Sequence, residues 1–262
     1  MEAVNFPWPD PELYIDPEEC RRLVDEAPDD KVVMGMLWAC HFQDTCAAFG
    51  MQTCLMNMVA EPEMVHYVDD HIVDFYLKAL KIFLEATKGK VQAILIGDDV
   101  GSQRGLMISP ALISEFVIPG AKKLIDLAHS YGVKVVYHSC GSIVEAIPLL
   151  IEAGVDVIHP IQALAAGMDP ANLKDKFDGK ISFCGGVDTQ DLLPNGTPEQ
   201  VAAKVKELRT YFPTGLIVSP SHEGLQPDVP PSNIKALFDE ATKIYELSLI
   251  HISEPTRPRL IS

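Results

Sequence analysis

Two residues with metal-binding side chains end one apolar segment of the sequence. His138 and Cys140 follow the run Val135-Val136-Tyr137, and a glycine comes directly after them. Side chains alternate between the two faces of a strand, so His138 and Cys140 would share a face. Imidazole and thiolate are ligands that Zn²⁺ prefers, and this pair would supply two of the three protein ligands of a catalytic zinc. The spacing alone leaves open a strand end with one buried structural cysteine and one structural histidine.

The segments around this pair alternate between predicted strands and predicted helices. Short apolar runs predict strands buried on both faces, as in a parallel sheet, at residues 32–38, 91–96, 133–138, 155–159, 181–184 and 215–219. Amphipathic or capped segments predict helices at residues 17–26, 62–86, 143–152, 170–177, 198–211 and 232–246, with another that begins after Ser109 and is interrupted at Pro119. Such alternation indicates parallel strands joined by crossover helices.

Polar residues follow the carboxyl ends of five successive predicted strands. They are Asp98 and Asp99, His138 with Cys140, His159, Asp188 and His222. A doubly wound sheet would concentrate such residues at one switch point, whereas a barrel collects them from every strand at one mouth. We therefore predict an α/β fold of the (β/α)8 TIM-barrel type. Only six strands can be counted where eight are needed, so we expect the first two βα units to be missing from the chain.

Composition limits the classes of partner. The 262 residues and 28.8 kDa suit one barrel domain. Lys and Arg total 21 against 37 Asp and Glu, and the net charge of -16 disfavours nucleic acid and anionic membranes as partners. No apolar run approaches a membrane span, and the first residues lack the features of a signal peptide, so we expect a cytoplasmic protein. Six scattered cysteines fit reduced thiols better than a disulfide framework.

The end of the chain has a different character. Residues 248–262 carry two prolines and two arginines and show no helical periodicity. This segment resembles translated read-through of a sequencing adapter. We therefore assign residues 1–247 to a partial barrel domain and treat 248–262 as a non-native or disordered tail. Because the absence of two strands would expose sheet edges, we also expect the partial barrel to be poorly stable.

Four ordered motifs at predicted strand ends resemble those of the uroporphyrinogen decarboxylase superfamily. The motifs are Gly97-Asp98-Asp99-Val100-Gly101-Ser102-Gln103, Tyr137-His138-Ser139-Cys140-Gly141-Ser142, Phe183-Cys184-Gly185-Gly186-Val187-Asp188-Thr189-Gln190, and Ser219-Pro220-Ser221-His222 with residues 226–234. The superfamily includes the cofactor-free decarboxylase of haem biosynthesis and zinc-dependent methyltransferases that move methyl groups between a corrinoid protein and a thiol such as coenzyme M. Both branches are (β/α)8 barrels with the site at the C-terminal mouth, so the resemblance implies the same fold here.

The resemblance is nearest to the methyltransferase branch and implies a set of metal ligands. That branch has His-x-Cys after one strand and a cysteine after the last strand. His138 and Cys140 match the first two positions, whereas His222 stands where the cysteine is expected and also resembles a histidine of the decarboxylases. A His-Cys-His set is chemically reasonable for zinc. The resemblance therefore implies Zn²⁺ held by His138, Cys140 and His222.

Other residues are predicted to act at the same mouth. The predicted catalytic residues are Asp98, Asp99 and Asp188. The predicted cofactor-binding residues are His159, Gln162 and Arg104. Aspartates after strands can serve as acid, base or positioning groups, although they also cap turns. Outside the tail, Arg104 is the only arginine in a predicted strand-end loop.

These expectations lead to one leading function and two alternatives. The leading prediction is a zinc-dependent methyltransferase that moves a methyl group between a corrinoid, carried by a partner protein, and a small-molecule thiol. The alternatives are a cofactor-free uroporphyrinogen decarboxylase and a non-catalytic corrinoid-binding barrel. The scarcity of arginines argues against the decarboxylase, because an octacarboxylate substrate needs several cationic donors.

Overall fold

The structure is a computed structural model that describes residues 6–243. The strands in this part of the chain are β1 (Met34–Met36), β2 (Ala93–Gly97), β3 (Lys134–His138), β4 (Val157–Ile161), β5 (Ser182–Val187) and β6 (Leu216–Pro220). The α-helices are α1 (Pro17–Asp25), α2 (His41–Phe49), α3 (Met51–Ala60), α4 (Pro62–Ala86), α5 (Pro110–Phe116), α6 (Ile118–Ser130), α7 (Ile147–Ala153), α8 (Pro170–Phe177), α9 (Leu192–Asn195), α10 (Pro198–Tyr211) and α11 (Pro231–Ala241). The predicted tail, 248–262, lies outside the described residues.

The six strands lie side by side in chain order and form one parallel sheet. Each strand pairs with the next one along the chain, from β1 to β6. Among the described residues, β1 and β6 do not pair with each other, so the sheet stays open at both edges. The six parallel strands form a half-barrel. The prediction of an incomplete (β/α)8 barrel, with six of its eight strands, is confirmed.

The helices cover one face of the sheet and leave the other face partly open. Gly35 faces α4, because a Cβ at this position would lie only 2.5 Å from the ring of Phe83. Ile94, its partner in β2, is fully buried on the same face, and burial of such a side chain contributes about 1.5–3 kcal/mol. Met34 and Met36 point to the opposite, inner face and are 52% and 67% exposed. The inner face therefore presents apolar side chains to solvent at the β1 edge.

Local signals for helix starts agree with the sequence prediction. The side chains of Ser109, Asp169 and Thr197 accept hydrogen bonds from backbone N–H groups at the starts of α5, α8 and α10. Proline follows each of these residues, in the first turn, where no N–H donor is needed. The predicted interruption near Pro119 is confirmed, because α5 ends at Phe116 and α6 begins at Ile118.

Three α-helices of the described residues, α2, α3 and the short α9, were not predicted from the sequence. Helices α2 and α3 have weak amphipathic patterns, and neither N-cap residue makes a side-chain capping bond. They pack through buried side chains, including Phe42, Cys46 and Cys54, against α4 and the core. Since local periodicity does not mark these two helices, packing against the rest of the fold must stabilise them. Within residues 6–243, no helix combines the length and apolarity needed to cross a membrane.

Candidate metal centre at the strand ends

The carboxyl ends of β2, β3 and β4 meet at the level of His138. Gly97 and His159 are the neighbours of His138 in the adjacent strands. Gly97 has φ +152°, and a Cβ at this position would overlap the backbone of His138. Glycine is therefore required for the two strand ends to approach so closely. His138 itself is 1% exposed.

Three potential metal ligands converge at this point. His138 Nε2 lies 3.4 Å from Cys140 Sγ and 3.4 Å from Asp99 Oδ1, and the three donor atoms all lie within 4.8 Å of one another. Tetrahedral zinc with ordinary bond lengths would place N and S about 3.6 Å apart and N and O about 3.3 Å apart. The N–H of Cys140 donates to Asp99 Oδ1 at 2.7 Å and holds the carboxylate beside the thiol. The donor set therefore fits zinc in both chemistry and spacing.

The electrostatics of this group favour a bound cation. Burial tends to raise the pKa of Asp99, but hydrogen bonds from His138 and the N–H of Cys140 outweigh it and hold this pKa below its ordinary value. Burial, followed by the nearby carboxylates of Asp99 and Glu223, raises the pKa of the Cys140 thiol to about 12. At neutral pH the chain by itself therefore keeps this sulfur protonated. A divalent cation would supply the charge that stabilises the thiolate.

A second group of donors meets the other nitrogen of His138. His138 Nδ1 lies 3.0 Å from His159 Nδ1 and 3.7 Å from Glu223 Oε2. Burial, and then the neighbouring His138, lower the pKa of His159 to about 4. His159 is therefore a neutral imidazole at pH 7. The two nitrogens of His138 thus face different neighbours, with Asp99 and Cys140 on one side and His159 and Glu223 on the other.

Hydrogen bonds tie together the loops that follow β2, β3 and β4. Gln162 Oε1 accepts from the N–H of Gly141 at 2.7 Å and from Gln103 Nε2 at 3.5 Å. The N–H of Val100 donates to Ser139 Oγ at 3.1 Å. Gln162 therefore braces the turn that follows Cys140. The neighbouring Arg104 is exposed on the loop after β2.

A buried charge cluster lies behind Asp99. His41 Nδ1 is 2.8 Å from Asp69 Oδ1, and its Nε2 is 3.1 Å from the carbonyl oxygen of Val117 and 3.5 Å from Asp98 Oδ2. Both ring nitrogens thus face acceptors, an arrangement that suits the doubly protonated ring. Burial lowers the pKa of His41, but Asp98 and Asp69 outweigh it and raise the pKa to about 9.

The first turn of α2 holds the two adjacent aspartates. Asp98 accepts from the N–H groups of Phe42 and Gln43 at 3.2 and 2.9 Å. Gln43 Oε1 in turn accepts from the N–H of Asp99 at 3.0 Å. Burial raises the pKa of Asp98, and His41 together with the two N–H donors limits the rise. Asp98 is completely buried and engages α2, while Asp99 reaches the donor group at the mouth.

Of the predicted metal ligands, the structure brings His138 and Cys140 together, with Asp99 as the third donor. His222 lies outside both donor groups found among residues 6–243. Its Nδ1 accepts from the N–H of Gly224 at 3.0 Å, its Nε2 lies 3.6 Å from Glu223 Oε1, and its side chain is 40% exposed. Metal ligation by His222 stays a prediction that this geometry does not favour.

Asp188, predicted to be catalytic, caps a turn. Its carboxylate accepts from the N–H groups of Gln190, Asp191 and Leu192 at 3.1, 2.8 and 2.9 Å. Three backbone donors at the start of α9 are thereby satisfied. This is the turn-capping alternative considered from the sequence, and a catalytic role for Asp188 stays a prediction.

Sequence reasoning missed three residues around the site. Glu223 directly follows His222, and its carboxylate reaches towards His138. Trp38 lies beyond the end of β1, and its ring centroid is 4.9 Å from that of His138. His41 begins α2 a few residues later. The rule that polar residues follow strand ends could have found His41 if it had been applied to the first predicted strand.

Fold and site together define an α/β-barrel protein with a His-Cys-carboxylate cluster at the carboxyl ends of its strands. Sequence comparison then identifies the family. The profile of the family described as uroporphyrinogen decarboxylase (URO-D) matches residues 5–244, and the chain belongs to this family.

Similar proteins are methyltransferases of Methanosarcina. A methylated-thiol–coenzyme M methyltransferase of Methanosarcina mazei is 27% identical over 150 residues, which cover 56% of this chain and 36% of that protein. A methylcobamide:CoM methyltransferase of Methanosarcina acetivorans is 26% identical over 152 residues, which cover 58% of this chain and 42% of that protein. A solved methyltransferase structure from Methanosarcina mazei matches with a TM-score of 0.69 at 17% identity and covers 86% of this chain and 62% of that one. The match thus spans less than half the length of these sequence relatives.

Proposed function

We propose that this chain carries the zinc-binding and thiol-activating part of a methyltransferase that moves a methyl group between a corrinoid and a thiol. The observation that carries the proposal is the convergence of Asp99, His138 and Cys140 with donor spacings that suit tetrahedral zinc. The names of the similar proteins support the same reaction class, because both are coenzyme M methyltransferases and one of them is named for methylcobamide as well.

In this proposal, Asp99 Oδ1, His138 Nε2 and Cys140 Sγ hold Zn²⁺. When bound, zinc supplies a positive charge that lowers the pKa of a coordinated thiol and keeps it as the nucleophilic thiolate. The N–H of Cys140 orients Asp99, and Gln162 braces the turn at Gly141, so these residues limit the movement of the donors.

Arg104 and Trp38 have proposed roles at the same mouth. Arg104, on the exposed loop after β2, would attract an anionic acceptor to a protein whose net charge otherwise repels anions. Trp38 covers part of His138 and limits the access of water to it. A corrinoid protein would dock over the open side of the mouth as the methyl donor.

Metal analysis of the purified 262-residue chain tests the proposal. We expect one equivalent of zinc after equilibrium dialysis, together with zinc-dependent loss of methylcobalamin absorbance when coenzyme M is added. Cys140→Ser should lose the zinc, because a thiolate ligand is replaced by a poorly ionised hydroxyl. Cys20→Ser is the matched control, since Cys20 is also half-buried but lies on α1. The proposal is wrong if wild-type protein binds no stoichiometric zinc or if Cys140→Ser binds it unchanged.

A further inference from the structure

The contact between His138 and His159 has a chemical consequence for the metal centre. The two rings come from adjacent strands at paired positions, and both are buried. Their Nδ1 atoms are 3.0 Å apart, which is the distance of a hydrogen bond. A bond between two nitrogens contains one proton, so one ring must donate and the other must accept.

The direction of this bond determines what His138 presents to Asp99 and Cys140. If His159 donates, a neutral His138 accepts at Nδ1 and carries its proton on Nε2, the atom that faces Asp99 and Cys140. If His138 donates from Nδ1, its Nε2 lone pair faces these two residues instead. Only the second tautomer allows Nε2 to bind a cation, since the lone pair is then free.

We propose that His159 is a positioning residue for His138. In the zinc-loaded protein, Nδ1 of His159 accepts a hydrogen bond from the Nδ1–H of His138, and this bond fixes the tautomer of His138 that binds zinc. This inference rests on the proposed zinc site. Residues that accept from the distal nitrogen of a metal-binding histidine orient the ring and increase its basicity. Carboxylates often serve this purpose, but Glu223 lies 3.7 Å from His138 Nδ1, beyond a direct hydrogen bond, whereas His159 is within one.

Zinc competition with a chromophoric chelator tests the role of His159. His159→Leu, which removes the acceptor, should weaken zinc binding about 10- to 100-fold. His159→Asn should restore most of the affinity, because its amide oxygen can accept near the position of Nδ1. His71→Leu, which removes an imidazole on α4 outside both donor groups, is the control and should keep the affinity of the unmodified protein. Equal loss in His159→Leu and His159→Asn would overturn the proposal, because it would indicate that His159 binds the metal itself.

Long-range ¹⁵N–¹H NMR spectra of the zinc-loaded chain provide a readout that does not depend on any variant. The ring of His138 should show a proton on Nδ1 and a metal-bound Nε2, and His159 should show a proton on Nε2. A His159 ring protonated on Nδ1 would overturn the tautomer assignment while leaving the zinc site intact. Zinc bound through His138 Nδ1 would overturn both the tautomer and the proposed set of zinc-binding atoms, because Nδ1 faces His159 and Glu223. Failure of the unmodified chain to bind zinc would instead overturn the proposed function, and this inference with it.

Discussion

The buried His41 charge cluster predicts a specific dependence of stability on pH. The pKa of His41 is about 9 in the folded protein, because the carboxylates of Asp98 and Asp69 outweigh the effect of burial, whereas an unfolded histidine titrates near 6.5. A pKa that is raised by folding stabilises the protein fully below the unfolded value, and the contribution is lost as the pH rises through the folded value. The stabilising contribution of protonated His41 is therefore lost between about pH 6.5 and about pH 9.

The size of this change in stability follows from the difference between the folded and unfolded pKa values of His41. A difference of about 2.5 pKa units corresponds to about 3 kcal/mol of unfolding free energy. We expect His41→Gln to be less stable than the unmodified chain at pH 6, and the stability difference between the two to shrink by about this amount by pH 9.5. Urea denaturation followed by circular dichroism at half-unit pH intervals measures both proteins. Subtracting the variant removes the contributions of titrating groups that lie far from His41. Asp98 is different, because burial raises its pKa to about 7 and His41 limits this rise, so its titration changes with the substitution.

Thr45→Val is a suitable control for this experiment. It removes a hydroxyl that donates to Asp69 at 3.0 Å but changes no charge. Its stability difference from the unmodified chain should be nearly constant between pH 6.5 and 9.5. A constant difference for His41→Gln as well would refute the reasoning, because it would mean that His41 is not a buried imidazolium.

Three further predictions concern stability and site geometry. Leu80→Ala, at a fully buried position in α4, should lower the free energy of unfolding by about 2–5 kcal/mol in urea denaturation. Asp188→Ala should destabilise the chain by about 1 kcal/mol through loss of a capping carboxylate, and Asp188→Asn should destabilise it less, because the amide oxygen still accepts. Gly97→Ala should lower both the thermal midpoint and the affinity for zinc, because the added Cβ overlaps the backbone of His138. Gly105→Ala is its control, with open space around its Cβ.

Different outcomes would contradict each of these expectations. An unchanged unfolding free energy in Leu80→Ala would mean that the side chain is not buried. Equal stability of Asp188→Ala and Asp188→Asn would show that the hydrogen bonds to the backbone contribute little. Similar behaviour of the Gly97 and Gly105 variants would show that the strand ends can separate without loss of stability or of zinc affinity at the proposed metal centre.

Much of the barrel could be predicted from local sequence patterns. Strands buried on both faces appear as short apolar runs, and capped helices such as α10 follow from Thr197 and the proline after it. Helices α2 and α3 could not be predicted in this way, because their packing against α4 and the core stabilises them and local sequence patterns do not mark them. The same limit applies to the partners of His41, because Asp69 and Asp98 are distant from it in sequence.

The sequence by itself determined that His138 and Cys140 share one face of a strand end, because alternation is a property of consecutive residues. It also determined the order of the strands and the edge of the sheet at which the polar residues gather. Tertiary structure decided which side chains stand beside the pair. Asp99 does so because β2 and β3 are paired in register, while His222 belongs to a loop that turns its ring towards Gly224. Distances between residues on different strands depend on strand register and loop conformation. The spacing of residues along the chain determines neither of these.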